Sequence, residues 1–366
     1  MRDLSNFLES PDFYPLYIDF TQRVVEFVGM DRSLYRKSVF LDHRTRSIKG
    51  VRYKVALDDL LLAAMCMPVK PKRSHYIMHI GFCCSTLLAR YFELAPNCLV
   101  LKEPRLLTQI AFSHGNLDRS GKKEMLDLTV RLLTRTYKSD DFIVIKAHEP
   151  CNALVGEILL SRENCSATFQ SVSLVEFLLA TLKAEERREW ARRRVTYLSV
   201  SGLAGSELSK IESYQLSDSE AAAYLWLYNR ALRLTFCGGS LNCPILHIDG
   251  ADLACSPTEV LHALNGACKF GWDNEFIEWM IHHPTMQRHA KSGALPFGGD
   301  SRKAEMRMLQ GALKNEVVMA VEWACKTVES LPMHEIYGNL NTPDTAIFPS
   351  GSSEPKTPCF RSSGSL

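Results

Sequence analysis

The chain has 366 residues, 46% hydrophobic and 23% charged, enough to bury a sizeable core, which excludes a disordered or fibrous protein for most of its length. Its 43 Lys and Arg stand against 41 Asp and Glu, a formal charge of +2, so no global field draws it to nucleic acid or a membrane surface and any anion site must be local. Residues 1–30 contain no signal-peptide core, the longest apolar run (Leu60–Val69) is about half of what spans a bilayer, and the cysteines read as reduced thiols. A cytoplasmic protein without a membrane span is expected.

In chain order, residues 1–70 predict a helical extension packed on the core: helical texture over Phe13–Val28, a weakly alternating Ser38–Val55 that suits a short hairpin, and a buried helix over Leu57–Met67. From His75 the texture changes. Tyr76–Ile80 predicts a strand, Gly81–Cys84 a loop of mostly small residues, and Ser85–Leu94 a helix. Leu99–Leu101 and Phe142–Lys146 predict further strands with a helix over Lys122–Tyr137 between them; Cys165–Val172 and Pro244–Ile248 complete the strand set. Long helical blocks are expected over Leu174–Arg194 and Ser217–Thr235, and a helix over Ser256–Lys269 behind the last strand. This alternation predicts an α/β domain over 71–335 with a mostly parallel sheet of about four or five strands flanked by helices. Residues 336–366, rich in Ser, Pro, Gly and Thr, predict a disordered tail.

The most informative stretch is HYIMHIGFCCSTLLARYFE, His75–Glu93. A parallel strand that turns straight into a helix opening Ser-Thr presents free backbone N–H groups and the positive end of the helix dipole, a place for phosphate or sulfate. Ser85 and Thr86 can add hydroxyl donors; alternatively Ser85 only caps the helix.

Read together, HIGFCCSTLLAR and the downstream LVLKEPRLL resemble the P-loop sulfotransferase-like superfamily, specifically bacterial members with a GFC-type loop, a Ser-Thr-Leu-Leu helix and a Glu-Pro. FIVIKAHEPCNALV is similar to that family's central strand ending in Lys, SLVEFLLATLKAEERREWARRR to its long helix after the fourth strand, and MQRHAKSGALPF to its late basic loop. The resemblance runs from about Val55 to Glu329. It implies a P-loop NTPase-like fold and a metal-free transfer of the sulfuryl group from 3′-phosphoadenosine 5′-phosphosulfate to a hydroxyl or amine on a small molecule or biopolymer. It further implies that Gly81, Cys83, Cys84, Ser85 and Thr86 cradle the 5′-phosphosulfate, and that Glu103 serves as the base near the acceptor. His148 is a second candidate base, because imidazole titrates near working pH.

The chain departs from the family at two points. Phe82 stands where members carry Lys or Arg, so the loop lacks its own cation; Lys146 can replace it from the neighbouring strand end. No Arg follows the fourth strand. Ser171 and Ser173 supply hydroxyls for the 3′-phosphate, and Arg288, His289 and Lys291 are the candidates for its missing charge. Bland readings stand beside these: a strand-end Lys, a loop Glu103 paired with Arg105, a structural His148, and a solvated Lys183–Arg194 helix held by i,i+4 pairs. The competing class is a non-catalytic P-loop fold kept as a binding or regulatory module. A redox-sensing or phosphatase-like use of Cys83 and Cys84 ranks third, lacking an Arg that closes the loop. No GxxxxGK followed by Ser or Thr is present, and the His and Cys residues do not form a zinc set.

Overall fold

The computed structural model describes residues 4–67, 72–113, 117–201, 208–238, 243–288 and 298–330. Near the amino terminus, strands β1 (Phe13–Asp19), β2 (Val24–Gly29) and β3 (Arg52–Ala56) form an antiparallel sheet in the order β1-β2-β3. The helical texture expected over Phe13–Val28 is thereby corrected to a hairpin. Tyr14, Leu16 and Ile18 on one strand and Val25 and Phe27 on the next are buried at alternate positions, the period of a half-buried strand. Pro15, which has no N–H to give a ladder, lies on the edge strand beside a register shift. The hairpin expected within Ser38–Val55 is instead a short helical turn, His43–Ser47, followed by β3. Helix Leu57–Cys66 follows directly.

The main sheet has five parallel strands, β4 (Arg73–His79), β5 (Cys98–Lys102), β6 (Phe142–Lys146), β7 (Cys165–Ser171) and β8 (Ile245–Asp249), in the order β5-β6-β4-β7-β8. Both faces are covered, which is why β5 and β6 read as unbroken apolar runs closed by Lys. Ile77, Val100, Val144 and Leu246 face a core shared with helices Ser85–Leu94, Pro257–Cys268 and Asn274–His282. Tyr76, Met78, Leu101 and Ile145 face the opposite core, with helices Arg105–Ala111, Arg119–Leu133, Asn152–Ser161, Leu174–Leu182 and Asp218–Gly238. The helical block predicted to run on to Arg194 breaks after Leu182, and a second helix spans Glu185–Ser201.

From β4 the chain crosses to β5 on one side of the sheet, whereas from β7, its other neighbour, it moves outward to β8. The carboxyl ends of β4 and β7 therefore flank a topological switch point, where open α/β sheets leave a crevice for ligands. Among the described residues no helix is long and apolar enough to cross a membrane. The tail predicted over 336–366 lies outside the described residues.

Candidate functional site

At the switch point β4 ends in His79 and the chain turns through Ile80–Cys84 into the Ser85–Leu94 helix. Phe82 and Cys84 hold φ of +61° and +63°, left-handed backbone that non-glycine residues seldom adopt. Spaced one residue apart, such turns aim successive amides at a common point, the geometry of an anion nest. The amides of Gly81, Cys83, Ser85 and Thr86 have no backbone carbonyl partner among the described residues. Cys84 occupies the N-cap and no side chain caps the helix, so Ser85 is not the cap that the bland reading made it.

Neighbouring side chains keep the loop in this strained form. Gln170 Nε2 donates to the Cys83 carbonyl at 2.8 Å, and the Cys83 thiol donates to the Ile80 carbonyl at 2.9 Å. Gly250, just beyond β8, packs so close that a Cβ there would sit 2.1 Å from the Cys83 oxygen. The Phe82 ring is anchored by the Trp190 edge at 5.2 Å and by the Arg187 guanidinium 4.4 Å from its centroid. Burial pushes the Cys83 thiol up to about 12, which keeps it protonated and unsuited to nucleophilic or redox work.

A charged cluster lies beside the loop, under the same sheet edge. Lys146, at the end of β6 and 1% exposed, is ion-paired with Glu103, and its Nζ is 3.1 Å from His79 Nε2. Glu103 follows β5 at φ +56°, with its N–H held by the Lys146 carbonyl at 2.7 Å. His79 Nδ1 is 2.8 Å from the Ile80 carbonyl and donates to it, leaving Nε2 to accept from the ammonium. Burial, seconded by Lys146, lowers His79 to about 3, so the ring is neutral. Burial alone would raise the Glu103 carboxyl, but Lys146, with the two histidines, overrides it and holds it down at about 2.

His148, lowered to about 4 chiefly by burial, has its Nε2 3.2 Å from an Arg194 guanidinium nitrogen. Arg194 pairs with Glu149 at 3.2 Å, and Glu149 accepts from Asn229 at 3.1 Å. Asn152 completes the frame, bonded to Asn229 at 2.9 Å and to the His79 carbonyl at 3.0 Å. On the Glu185–Ser201 helix, Arg192 and Arg193 pair with acidic neighbours, as a solvated face should. Arg187 and Arg194 turn toward the site instead.

Of the predicted residues, the structure gathers Gly81, Cys83, Cys84, Ser85 and Thr86 in the loop and Glu103, Lys146 and His148 beside it. Ser85 and Thr86 are both buried. Ser171 and Ser173 are engaged otherwise: Ser171 Oγ lies 2.7 Å from His247 Nε2, and Ser173 caps its helix by accepting from the Glu176 amide at 3.2 Å. Arg288 is exposed, its carbonyl accepting from Arg90 at 3.3 Å. His289 and Lys291 lie outside the described residues.

Two residues escape the sequence reading. His79 carried a usable signal, a histidine closing the strand that feeds the loop. Arg302 carried none, because 218 residues separate it from its loop partner. From the Gly299–Ala312 helix its Nη1 donates to Cys84 Sγ at 3.1 Å, and Nη2 is 3.9 Å from Glu176. The side chain is 11% exposed, and its Nε and Nη2 are buried without a hydrogen-bond partner among the described residues. Buried donors left without an acceptor are rare and costly, and here they sit against the loop whose amides also lack carbonyl partners.

No family model matches the chain, and no curated protein does. Among solved structures it is similar to a sulfotransferase domain from the curacin biosynthetic pathway, with a TM-score of 0.36 and 13% identity over 68% of this chain and 99% of that one. At that score the functional reading rests on the site's own geometry. Among the described residues no group of three or more His, Cys, Asp or Glu is arranged to hold a metal ion.

Proposed function

We propose that the protein transfers a sulfuryl group from 3′-phosphoadenosine 5′-phosphosulfate to a hydroxyl or amine acceptor, with the Phe82–Thr86 loop holding the 5′ end of the nucleotide. The observation that carries this reading is the coincidence at one switch point of an anion nest, a guanidinium with orphaned donors and a buried Lys–Glu–His cluster. The orphaned Arg302 nitrogens and the loop amides that lack a carbonyl partner fit an anionic group of phosphate or sulfate size. When bound, the nucleotide supplies the group to be transferred.

The remaining work falls to the chain's own residues. Arg302 stands in for the cation that Phe82 cannot provide, and the Ser85 and Thr86 hydroxyls donate alongside the loop amides. In the present arrangement Lys146 is held by Glu103 and His79 and lies 5.4 Å from the Phe40 ring centroid. Turning Nζ toward an anion in the loop weakens its hold on Glu103, whose carboxyl then rises from about 2 toward the ordinary range and becomes able to take a proton from an acceptor hydroxyl. Arg288, His289 and Lys291 remain the candidates for the 3′-phosphate, and the protein works in the cytoplasm.

One observation favours a second reading. A carboxylate held at about 2 is a weak base, so a chain in which Lys146 never leaves Glu103 would bind nucleotide without turning it over. Calorimetry with adenosine 3′,5′-bisphosphate, paired with a transfer assay using radiolabelled donor and a mixed set of phenols, alcohols and amines, separates the cases. Binding with transfer supports the enzyme, binding without transfer supports the binding module, and neither rejects the nucleotide site.

A further inference from the structure

A hollow of about 300 Å³ is lined, among the described residues, by Phe20, Arg105, Thr108, Gln109, Phe112 and Ser113. Its floor is the Arg105–Ala111 helix, which begins two residues after Glu103. Its inner wall joins the Lys146–Glu103 cluster by a chain of contacts. The Arg194 guanidinium lies 5.6 Å from the Phe112 ring centroid and 3.2 Å from His148 Nε2, and the Cys151 thiol, just after His148, is 3.7 Å from the Thr108 hydroxyl.

The chemistry of the lining is selective. Phe20, from the turn between β1 and β2, and Phe112, beyond the floor helix, supply flat apolar walls. Gln109 does not read a ligand, because its amide is bonded to both the N–H and the carbonyl of Ile18, at 3.0 and 3.1 Å. The Ser113 hydroxyl gives its proton to the Ile110 carbonyl at 2.8 Å. None of the six described lining residues is acidic, and Arg105, its guanidinium 5.1 Å from the Tyr17 ring centroid, brings a guanidinium to the lining. The volume is at the small end of the range for ligand sites, roughly 300–1,000 Å³.

We propose that this hollow is the acceptor pocket and that it takes a single-ring aromatic hydroxy compound bearing a carboxylate or similar acidic group. The inference rests on the sulfuryl-transfer reading for its role but on the hollow's own lining for its ligand class. The ring lies between Phe20 and Phe112, the acidic group faces Arg105, and the hydroxyl faces inward toward Glu103 and His148.

The test is direct binding to the full chain by ligand-observed NMR, with 4-hydroxyphenylacetate, neutral 4-ethylphenol and cationic tyramine as probes. The acid is expected to bind at least five-fold more tightly than the phenol and tyramine most weakly. Arg105→Gln should bring acid and phenol to parity, Phe112→Ala should weaken both at least five-fold, and the milder Phe112→Leu gives the same direction if the first variant folds poorly. Equal binding of acid and amine, no binding of the acid at millimolar concentration, or indifference to both positions overturns the proposal. Adenosine 3′,5′-bisphosphate is titrated in the same samples: nucleotide binding without acid binding rejects the pocket alone, whereas acid binding without nucleotide binding upholds the ligand class and rejects the sulfuryl-transfer reading.

Discussion

Replacing Arg302 by Met separates ligand binding from folding within one variant, because the two respond with different signs. In the ligand-free protein the guanidinium is 11% exposed and two of its three nitrogens are buried without a partner among the described residues. Each such donor costs about 1–3 kcal/mol relative to water. Against that stand one contact to the Cys84 sulfur at 3.1 Å and a loose ion pair with Glu176 at 3.9 Å, and Glu176 retains access to solvent. Met fills a similar volume without polar atoms, so the unliganded melting temperature should hold within about 2 °C or rise. In the proposed nucleotide complex the same two nitrogens would become charge-assisted donors to its 5′ phosphate. At the low end of roughly 1.5 kcal/mol each, their loss removes about 3 kcal/mol, a weakening of about 150-fold. Calorimetric titration of adenosine 3′,5′-bisphosphate into wild type and Arg302→Met, with scanning calorimetry of both without ligand, measures the two effects. Unchanged affinity refutes the assignment of Arg302 to the anion. A fall in the unliganded melting temperature of many degrees would show instead that the guanidinium is a structural clasp on the loop.

The Ser85→Ala/Thr86→Ala double variant should weaken the same nucleotide by about 2–4 kcal/mol while circular dichroism stays unchanged; equal affinity by calorimetry removes these hydroxyls from the cradle. Glu103→Gln should keep nucleotide affinity within a few-fold and lower turnover on the order of 100-fold or more in the transfer assay, with His148→Gln as the comparison for the second candidate base. Acid should destabilise the fold well before the carboxylates titrate. His75 and His79 are held at about 3 and His148 at about 4 by burial, below the unfolded value near 6.5, so their contribution is complete above about pH 6.5 and declines as pH falls toward 4 and then 3. The loss by pH 5 is about 2 kcal/mol for each of the three, read as a falling urea midpoint. A midpoint flat from pH 7 to 5 would contradict the neutral burial of these rings.

The parallel sheet was legible because β5 and β6 are short apolar runs closed by Lys and bounded by turn residues, a pattern that suits strands buried on both faces and alternating with helices. The strand-end positions of Lys146 and Glu103 were legible for the same reason: each sits where a strand runs out. The hairpin of β1 and β2 was misread although Tyr14, Leu16 and Ile18 alternate, because the aromatic and aliphatic residues between those positions blur a period of two into helical texture. The family resemblance assigns Ser171 and Ser173 to a phosphate, since only coordinates reveal His247 and the Glu176 amide as their partners. Arg302 is the limiting case. A salt-bridging arginine on an amphipathic helix and one aimed at a loop from the far end of the chain look identical until the fold brings them together.

Leu41 takes part in both structure and site. Its N–H donates to the Lys102 carbonyl at 2.6 Å, its own carbonyl accepts from the Arg105 N–H at 3.0 Å, and the Tyr14 hydroxyl donates to the same oxygen at 2.9 Å. The segment thus straddles the left-handed bend at Glu103 and ties it to β1. For protein engineering this fixes where the chain can be cut: a chimera joined near residue 70, with the first sheet taken from elsewhere, would inherit the loop and Lys146 but lose the brace that sets the carboxylate's direction. Recombination partners would have to carry residues 13–56 together with the Lys102–Arg105 turn as one heritable block.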